Sequence, residues 1–426
     1  MRRYITAIVI FSLVFFGLSS LSHGAGFLIY EHGAAAMAMG GAFVALANNP
    51  SAIFHNPAGI AFLEGTQISL GTTLITSSTS LELTNLGTTE ETVSQWFYPS
   101  TFYISHKMND RVAIGFGFFN PYGLGTKWPE DFALRFIATE DDMKTFFLNP
   151  VVAVKLDENF SVSVGVTYIY GTLELDRVNL IDLTAYGGSI YEAPIVVKGT
   201  GDAIGLNAGA LYRGENFSLG FNWRGGFDLN LEGDLTLDNS NIPAPFLAAV
   251  PTEADIAVTM SIPHILGFGV AFNLTESLIF TADLHYILWS SFEELALEVD
   301  YPDPVPDDTE TYEENWKDSY VLRGGFQYTV NEKFALRAGF LYDKTPQPVE
   351  TIDPLLPDAN RWALTGGFGY KSGNFVIDVA YQYEPFNDRE SENRSVVLHP
   401  VTGVNLGLGT YSTTAHLFGI SIGFVF

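Results

Sequence analysis

The chain has 426 residues, no cysteine, and 48 acidic against 21 basic side chains, a formal net charge of −27. Disulfides and lipid attachment at a cysteine are excluded, and so large an acidic excess argues against a nucleic-acid partner, which needs basic surface. Hydrophobic residues make up 47% and aromatics 14%, too many for a disordered acidic chain.

The first residues read MRRYITAIVIFSLVFFGLSSLSHGAGF. Arg2 and Arg3, an apolar run from Ile5 to Leu18, and Ser22 and Gly24 at the small-residue positions have the layout of a secretory signal peptide cut after Gly24. A retained membrane helix needs around 20 apolar residues, which this run lacks. Losing residues 1–24 leaves 19 basic residues and an excess of 29 negative charges. No later stretch holds 18 apolar residues, so no membrane helix is predicted beyond the signal. Two classes remain: a soluble periplasmic β protein, or an outer-membrane barrel.

Residues 25–65 are rich in Ala and Gly and contain NNPSAIFHNPAGI, in which two Asn-Pro breaks flank a short apolar run. Proline lacks an N–H and pushes the residue before it out of the helical region, so neither an ordinary helix nor a strand fits. From about Thr66 onward the rhythm changes to alternation. Six tight polar turns follow: MNDR (108–111), LDEN (156–159), RGEN (213–216), NLTES (273–277), VNEK (330–333) and KSGN (371–374). Each joins two strand-like segments, and one further segment lies at each end (about 66–80 and 413–426). The count is fourteen strands with both ends on one side, an even number as bacterial barrels require.

The connections on the other side are long: 82–97, 120–145, 178–202, 232–255, 293–318, 342–360 and 384–412. They carry 35 of the 48 acids, so the acidity belongs to solvated loops and not to the wall. A divalent-cation role for the eleven acids of 293–318 is an alternative to plain solvation. In the closing segment, Phe418, Ile420, Ile422, Phe424 and Phe426 share one face, opposite Gly419, Ser421 and Gly423. Greasy-out alternation, an aromatic end and unequal connections together favour the membrane barrel over a soluble sandwich. Fourteen strands enclose more space than wall side chains fill, so residues 25–65 are placed inside as a plug, the alternative being a small periplasmic subdomain.

The segment GAAAMAMGGAFVALANNPSAIFHNPAGI resembles the N-terminal hatch of the FadL family, outer-membrane long-chain fatty-acid transporters. Asn120 to Leu156, Trp316 to Val349 and LPDANRWALTGGFGY match as well, so the resemblance spans the mature chain. It implies an all-β fold, a 14-stranded antiparallel transmembrane β-barrel (66–426) with a hatch (25–65) in the lumen. It also implies passive uptake of a long-chain fatty acid or another hydrophobic small molecule, by a monomer in contact with outer-membrane lipid and lipopolysaccharide. Some relatives carry aromatic or alkane hydrocarbons instead.

Pro121, beside Gly123, either turns the third strand into its loop or kinks the wall there. By resemblance, Pro121, Tyr122 and Gly123 sit at a kink that opens a lateral gap, and Asn56, Pro57 and Ala58 are the hatch residues near it. Arg177 and Lys317 match basic residues of the family's inner pocket, where they would pair with a ligand carboxylate. A local ion pair is the competing reading, with Asp176 beside Arg177, and with Asp318, Glu313 and Glu314 around Lys317. No G-x-S-x-G or H-E-x-x-H motif occurs, and the eight histidines are scattered, so no enzyme, cofactor or metal is expected. GTGDAIG (199–205) leads into a strand and lacks the helix a dinucleotide loop needs. A structural or adhesive barrel is the remaining different class.

Overall fold

The computed structural model describes residues 26–303, 305–392 and 408–426. The expected signal peptide, Ala25 and much of the last long connection lie outside the described residues.

Fourteen antiparallel wall strands form a closed ring. They are β1 (Thr66–Leu83), β2 (Ser100–Lys107), β3 (Val112–Phe119 and Gly123–Lys127), β4 (Glu140–Lys155), β5 (Phe160–Asp182), β6 (Ile190–Arg213) and β7 (Phe217–Arg224 and Phe227–Leu237). The others are β8 (Glu253–Ile262 and Ile265–Asn273), β9 (Leu278–Ile287 and Glu294–Asp300), β10 (Asp308–Glu313 and Ser319–Thr329), β11 (Phe334–Asp343), β12 (Arg361–Ser372), β13 (Phe375–Pro385) and β14 (Gly409–Val425). β14 pairs with β1 from Gln67↔Val425 to Leu83↔Gly409, which leaves no open edge at the seam. All six tight turns fall where the sequence puts them. In three, the side chain of Asn109, Asp157 or Asn331 accepts hydrogen bonds from the amides two and three residues on, so the turn is written locally.

Along β5, Val164, Val166 and Tyr168 are exposed, whereas Gly165, Thr167 and Ile169 are buried. In β14, Phe418, Ile420 and Phe424 are exposed and Leu417, Gly419 and Ser421 buried, as the alternation requires. Outward aromatics gather at two heights. On β10 Tyr320 and Tyr328 mark them, and on β11 Tyr342 and Phe334. Eight residues of strand separate each pair, roughly 26 Å, comparable to the height of an outer-membrane apolar band.

The long connections expected at 178–202, 232–255 and 293–318 differ from the structure, because the sheet continues through much of them. β5 runs to Asp182, β6 starts at Ile190, and the upper pieces of β7, β8, β9 and β10 pair in turn. Within Phe227–Leu237, Asp228, Asn230, Glu232 and Asp234 face outward and Leu229, Leu231, Leu235 and Leu237 inward. Above the band the outer face meets water, so it becomes acidic while the strand goes on. The greasy-out signal that marks a wall strand is therefore missing there.

Residues 26–65 hold only short pieces of helix, Ala34–Met37 and Ala52–His55, and a 3₁₀ segment, Pro57–Phe62. Almost every side chain of the segment is buried. Ala34 N donates to Ser421 on β14, Gly40 N to Thr365 on β12, and Phe43 N and Val44 N to Asp283 on β9. Ser161 on β5 donates to Ala58 O. Inward-facing groups from opposite arcs of the ring meet this one segment, so it crosses the lumen. Close approach needs bare backbone on the wall. A Cβ on Gly339 would lie 2.2 Å from the Met39 carbonyl carbon, and one on Gly220 would lie 2.3 Å from Val44 O.

Candidate functional site

The interior of the upper ring is apolar. Its walls are inward side chains of the extended strands, among them Ile195, Val197, Leu231, Ile256 and Val258, all buried. Its floor is aromatic. Phe27 meets Trp289 at 4.9 Å between ring centroids, Trp289 meets Trp316 at 4.9 Å, and Tyr122 meets Phe147 at 5.9 Å.

Arg177 points inward from β5 and is 7% exposed. Asp176 is its neighbour in sequence, but side chains alternate along a strand, so Asp176 points the other way and cannot be its partner. The partner is Glu310 of β10, whose Oε1 lies 2.6 Å from Nη2, while Nη1 donates to the Tyr312 hydroxyl at 2.5 Å. Lys317 lies elsewhere. It is exposed, its backbone N–H donates to Pro346 O, and no carboxylate pairs with it among the described residues.

Lys317 lines a cavity of about 700 Å³ on the long-loop side, together with Tyr312, Glu314 and Asp353. Tyr312 thus stands between the two basic residues, hydrogen-bonded to Arg177 on one side and facing the Lys317 cavity on the other. Burial, with Asp353 as the next cause, pushes the Glu314 carboxyl up to about 8, and its Oε2 accepts the Trp316 indole N–H at 2.7 Å. Lys317 also borders a second cavity, of about 410 Å³, with Lys344 and Arg389. Among the described residues no three acids or histidines converge in a way that could hold a metal ion.

β3 is interrupted at Asn120–Tyr122. Its ladder with β2 ends at Phe102↔Phe118, and the upper piece pairs with β4 alone among the wall strands, from Gly123↔Lys144. Pro121 has no N–H, and Asn120 Nδ2 supplies a donor beside it, to Thr145 O at 2.7 Å. The free edge pairs with the N-terminal segment instead. Ile29 N donates to Pro121 O at 2.7 Å, and Gly123 N donates to Phe27 O at 2.9 Å.

Asn56, Pro57 and Ala58 pack against a different arc. Asn56 Nδ2 donates to Val44 O and Ala210 O, and Ala58 O accepts from Ser161 on β5. The residues of the N-terminal segment that pair with Pro121 to Gly123 are therefore Phe27 to Ile29, which the sequence does not single out.

Other lumenal groups also escape a reading by motif. Asp283 binds two amides, Arg323 Nη1 donates to Gly40 O, and the Tyr30 hydroxyl meets His285 Nε2 at 2.6 Å. The available signal is parity, because Asp283, His285 and Arg323 each stand at an inward position of a strand whose outward positions are apolar.

A family model described as outer membrane protein transport protein (OMPP1/FadL/TodX) matches residues 16–426. The long-chain fatty acid transport protein of Salmonella typhi is 23% identical over 366 residues, covering 80% of this chain and 82% of that protein. A Pseudomonas aeruginosa FadL homologue superposes with a TM-score of 0.80 at 21% identity, covering 94% of this chain and 100% of that one. The Pseudomonas putida toluene transporter TodX does so with a TM-score of 0.76 at 18% identity, covering 93% and 98%. The chain belongs to the outer membrane protein transport protein (OMPP1/FadL/TodX) family, and is thus an outer-membrane transport protein and not an enzyme.

Proposed function

We propose that this protein is a passive uptake channel for long-chain fatty acids or similar hydrophobic compounds. It works as a monomer surrounded by outer-membrane lipid and lipopolysaccharide, after loss of residues 1–24. Ligand is captured in the loop cavity beside Lys317, passes Tyr312 and Arg177 into the apolar upper interior, and leaves sideways at Pro121 to Gly123. Residues 26–65 act as the hatch that keeps the lumen shut. The observation that carries this reading is the juxtaposition of an apolar upper interior with a wall strand that leaves its neighbour at Asn120.

Magnitudes divide the labour. A dozen buried methylenes contribute on the order of 10 kcal/mol as an upper bound, and one charge-assisted hydrogen bond nets roughly 1.5–3 kcal/mol. Apolar contact supplies affinity, and the basic groups supply orientation and preference for acids.

One observation favours the neutral-ligand alternative, an aromatic or alkane hydrocarbon channel. Arg177 already holds Glu310, which neutralises the basic group nearest the apolar upper interior. Uptake of labelled oleate and toluene by a deletion strain carrying either the wild type or Lys317→Ala with Arg177→Ala separates the two. The fatty-acid reading predicts that oleate binding weakens about tenfold or more while toluene is little changed. Equal loss for both ligands removes the carboxylate role, and no uptake of either by the wild type leaves a structural or adhesive barrel.

A further inference from the structure

Arg224 ends the lower piece of β7 and points inward, with 5% of its surface exposed. A guanidinium cannot shed its proton in a protein, so a buried one needs a counter-charge. Three other inward arginines have one, whereas Arg323 and Arg213 reach only the carbonyls of Gly40 and Leu46. Arg177 holds Glu310, Arg337 holds Asp378 at 2.7 Å, and Arg361 holds Asp343 and Glu384. Arg224 holds no carboxylate among the described residues. Nη2 donates to Phe54 O at 3.2 Å, the Phe54 and Phe119 rings each lie 5.3 Å away, and Nη1 has no partner.

The titratable groups facing Arg224 are Tyr30, Tyr103, Tyr122, His32 and His55, and none is an acid. Around them the Tyr103 and Tyr122 hydroxyls, both His32 ring nitrogens and His285 Nδ1 are also buried without a partner. Arg224 borders a void of about 10 Å³, room for one water, whose other walls include Pro121, Leu28, Tyr30 and His285. A buried positive charge, a set of unpartnered polar groups and the interrupted wall strand thus meet at one point.

We propose that Arg224 is an internal anion-binding station, which receives the carboxylate of an acidic amphipathic ligand beside Pro121. The proposal rests on the uptake reading and adds a second polar contact, deep in the lumen and separate from Arg177 and Lys317. The void is the size of a single water. A carboxylate enters it when Leu28 yields, accepting hydrogen bonds from Arg224 Nη1 and from the Tyr122 hydroxyl. The ligand's tail then lies toward the gap between β2 and β3. A neutral hydrocarbon has nothing to offer this station and passes it without being held.

The test uses the full-length protein in detergent and the deletion strain complemented with each variant. Arg224→Gln keeps a donor for Phe54 O and removes the charge, and Tyr122→Phe removes one hydroxyl. The expected results are an unchanged or higher unfolding temperature without ligand, loss of part of the stabilisation by oleate, oleate uptake slowed about tenfold or more, and unchanged toluene uptake. Tyr122→Phe moves oleate uptake the same way by a smaller factor. Oleate uptake by Arg224→Gln equal to the wild type overturns the station while leaving the channel standing. A lower apo unfolding temperature with both ligands slowed alike makes Arg224 a structural donor and also overturns it. Chloride that stabilises the wild type but not Arg224→Gln, with no such difference for oleate, reassigns the site to a small inorganic anion. Failure of the wild type to take up either ligand is a different result, and it strikes the channel itself.

Discussion

The lumen has two storeys built on opposite principles. In the lower one, wall side chains reach the backbone of residues 26–65 individually: Asp283 takes two amides, Thr365 bonds both Gly40 N and Ala38 O, and Arg213 donates to Leu46 O. In the upper one, most inward positions are Leu, Ile and Val, with Arg177 as a buried base at the rim. Directional bonds specify one occupant in one pose, whereas apolar contact accepts anything of suitable size. The lower storey is built to hold its own chain, and the upper storey is built of apolar contact that specifies no single occupant.

This contrast is easiest to break from below. Asp283→Ala removes the shared acceptor of Phe43 N and Val44 N at the centre of the crossing segment. The expected loss is about 3–5 kcal/mol of stability in that segment, because two buried amides lose their charged partner. Hydrogen exchange at residues 40–47 reads it directly, and leak of a bulky antibiotic through the strain's outer membrane reads it in vivo. Stability and leak unchanged from the wild type would mean that apolar packing, not directed bonding, holds the segment.

The upper storey is sharpened by Glu310→Gln. With Glu310 neutral, the Arg177 guanidinium loses its built-in counter-ion and becomes available to a ligand carboxylate. Affinity for oleate is expected to rise about tenfold, with toluene unaffected, as isothermal titration on the two proteins would show. A fall in oleate affinity instead would make the pair a positioning device for Tyr312.

The smallest effect expected is on pH. Burial raises the Glu314 carboxyl to about 8, above its unfolded value, so packing around Trp316 is most stable with that carboxyl neutral. The contribution is fully present at acid pH, below the ordinary glutamate range, and is lost as pH rises through about 8. Neutral Glu314 also leaves the cavity at Lys317 less negative. Oleate should therefore bind about two- to fivefold more weakly at pH 9 than at pH 6, and Glu314→Gln should flatten the curve. A variant that keeps the slope would assign it to another group.

Legibility follows the solvent. Where lipid wets the wall, every second residue must be greasy, and the turns at Asn109, Asp157 and Asn331 carry their own acceptors, so the fourteen strands can be read off the chain. Above the band, Asp228 to Leu237 keeps the strand but exchanges lipid for water outside, and the pattern resembles an acidic loop. Arg177 is visible as a rare base, but its partner is 133 residues away on another strand, and no local rule leads from one to the other. Asp283 and Arg224 are harder still, because what distinguishes them is a contact with a segment more than a hundred residues earlier.

The backbone of Phe426 exchanges hydrogen bonds with Thr66, N to O at 2.8 Å and O to N at 3.1 Å. This seam has a temporal meaning. The ring cannot shut until its last strand arrives, so nearly all the wall is made before the pairing that removes its two edges. The segment 26–65 precedes β1 in the chain and lies inside the ring that this seam closes. Long-range closure of this kind is slow and leaves strand edges exposed while it waits. A chain of this design depends on its surroundings to guard those edges until Thr66 and Phe426 meet.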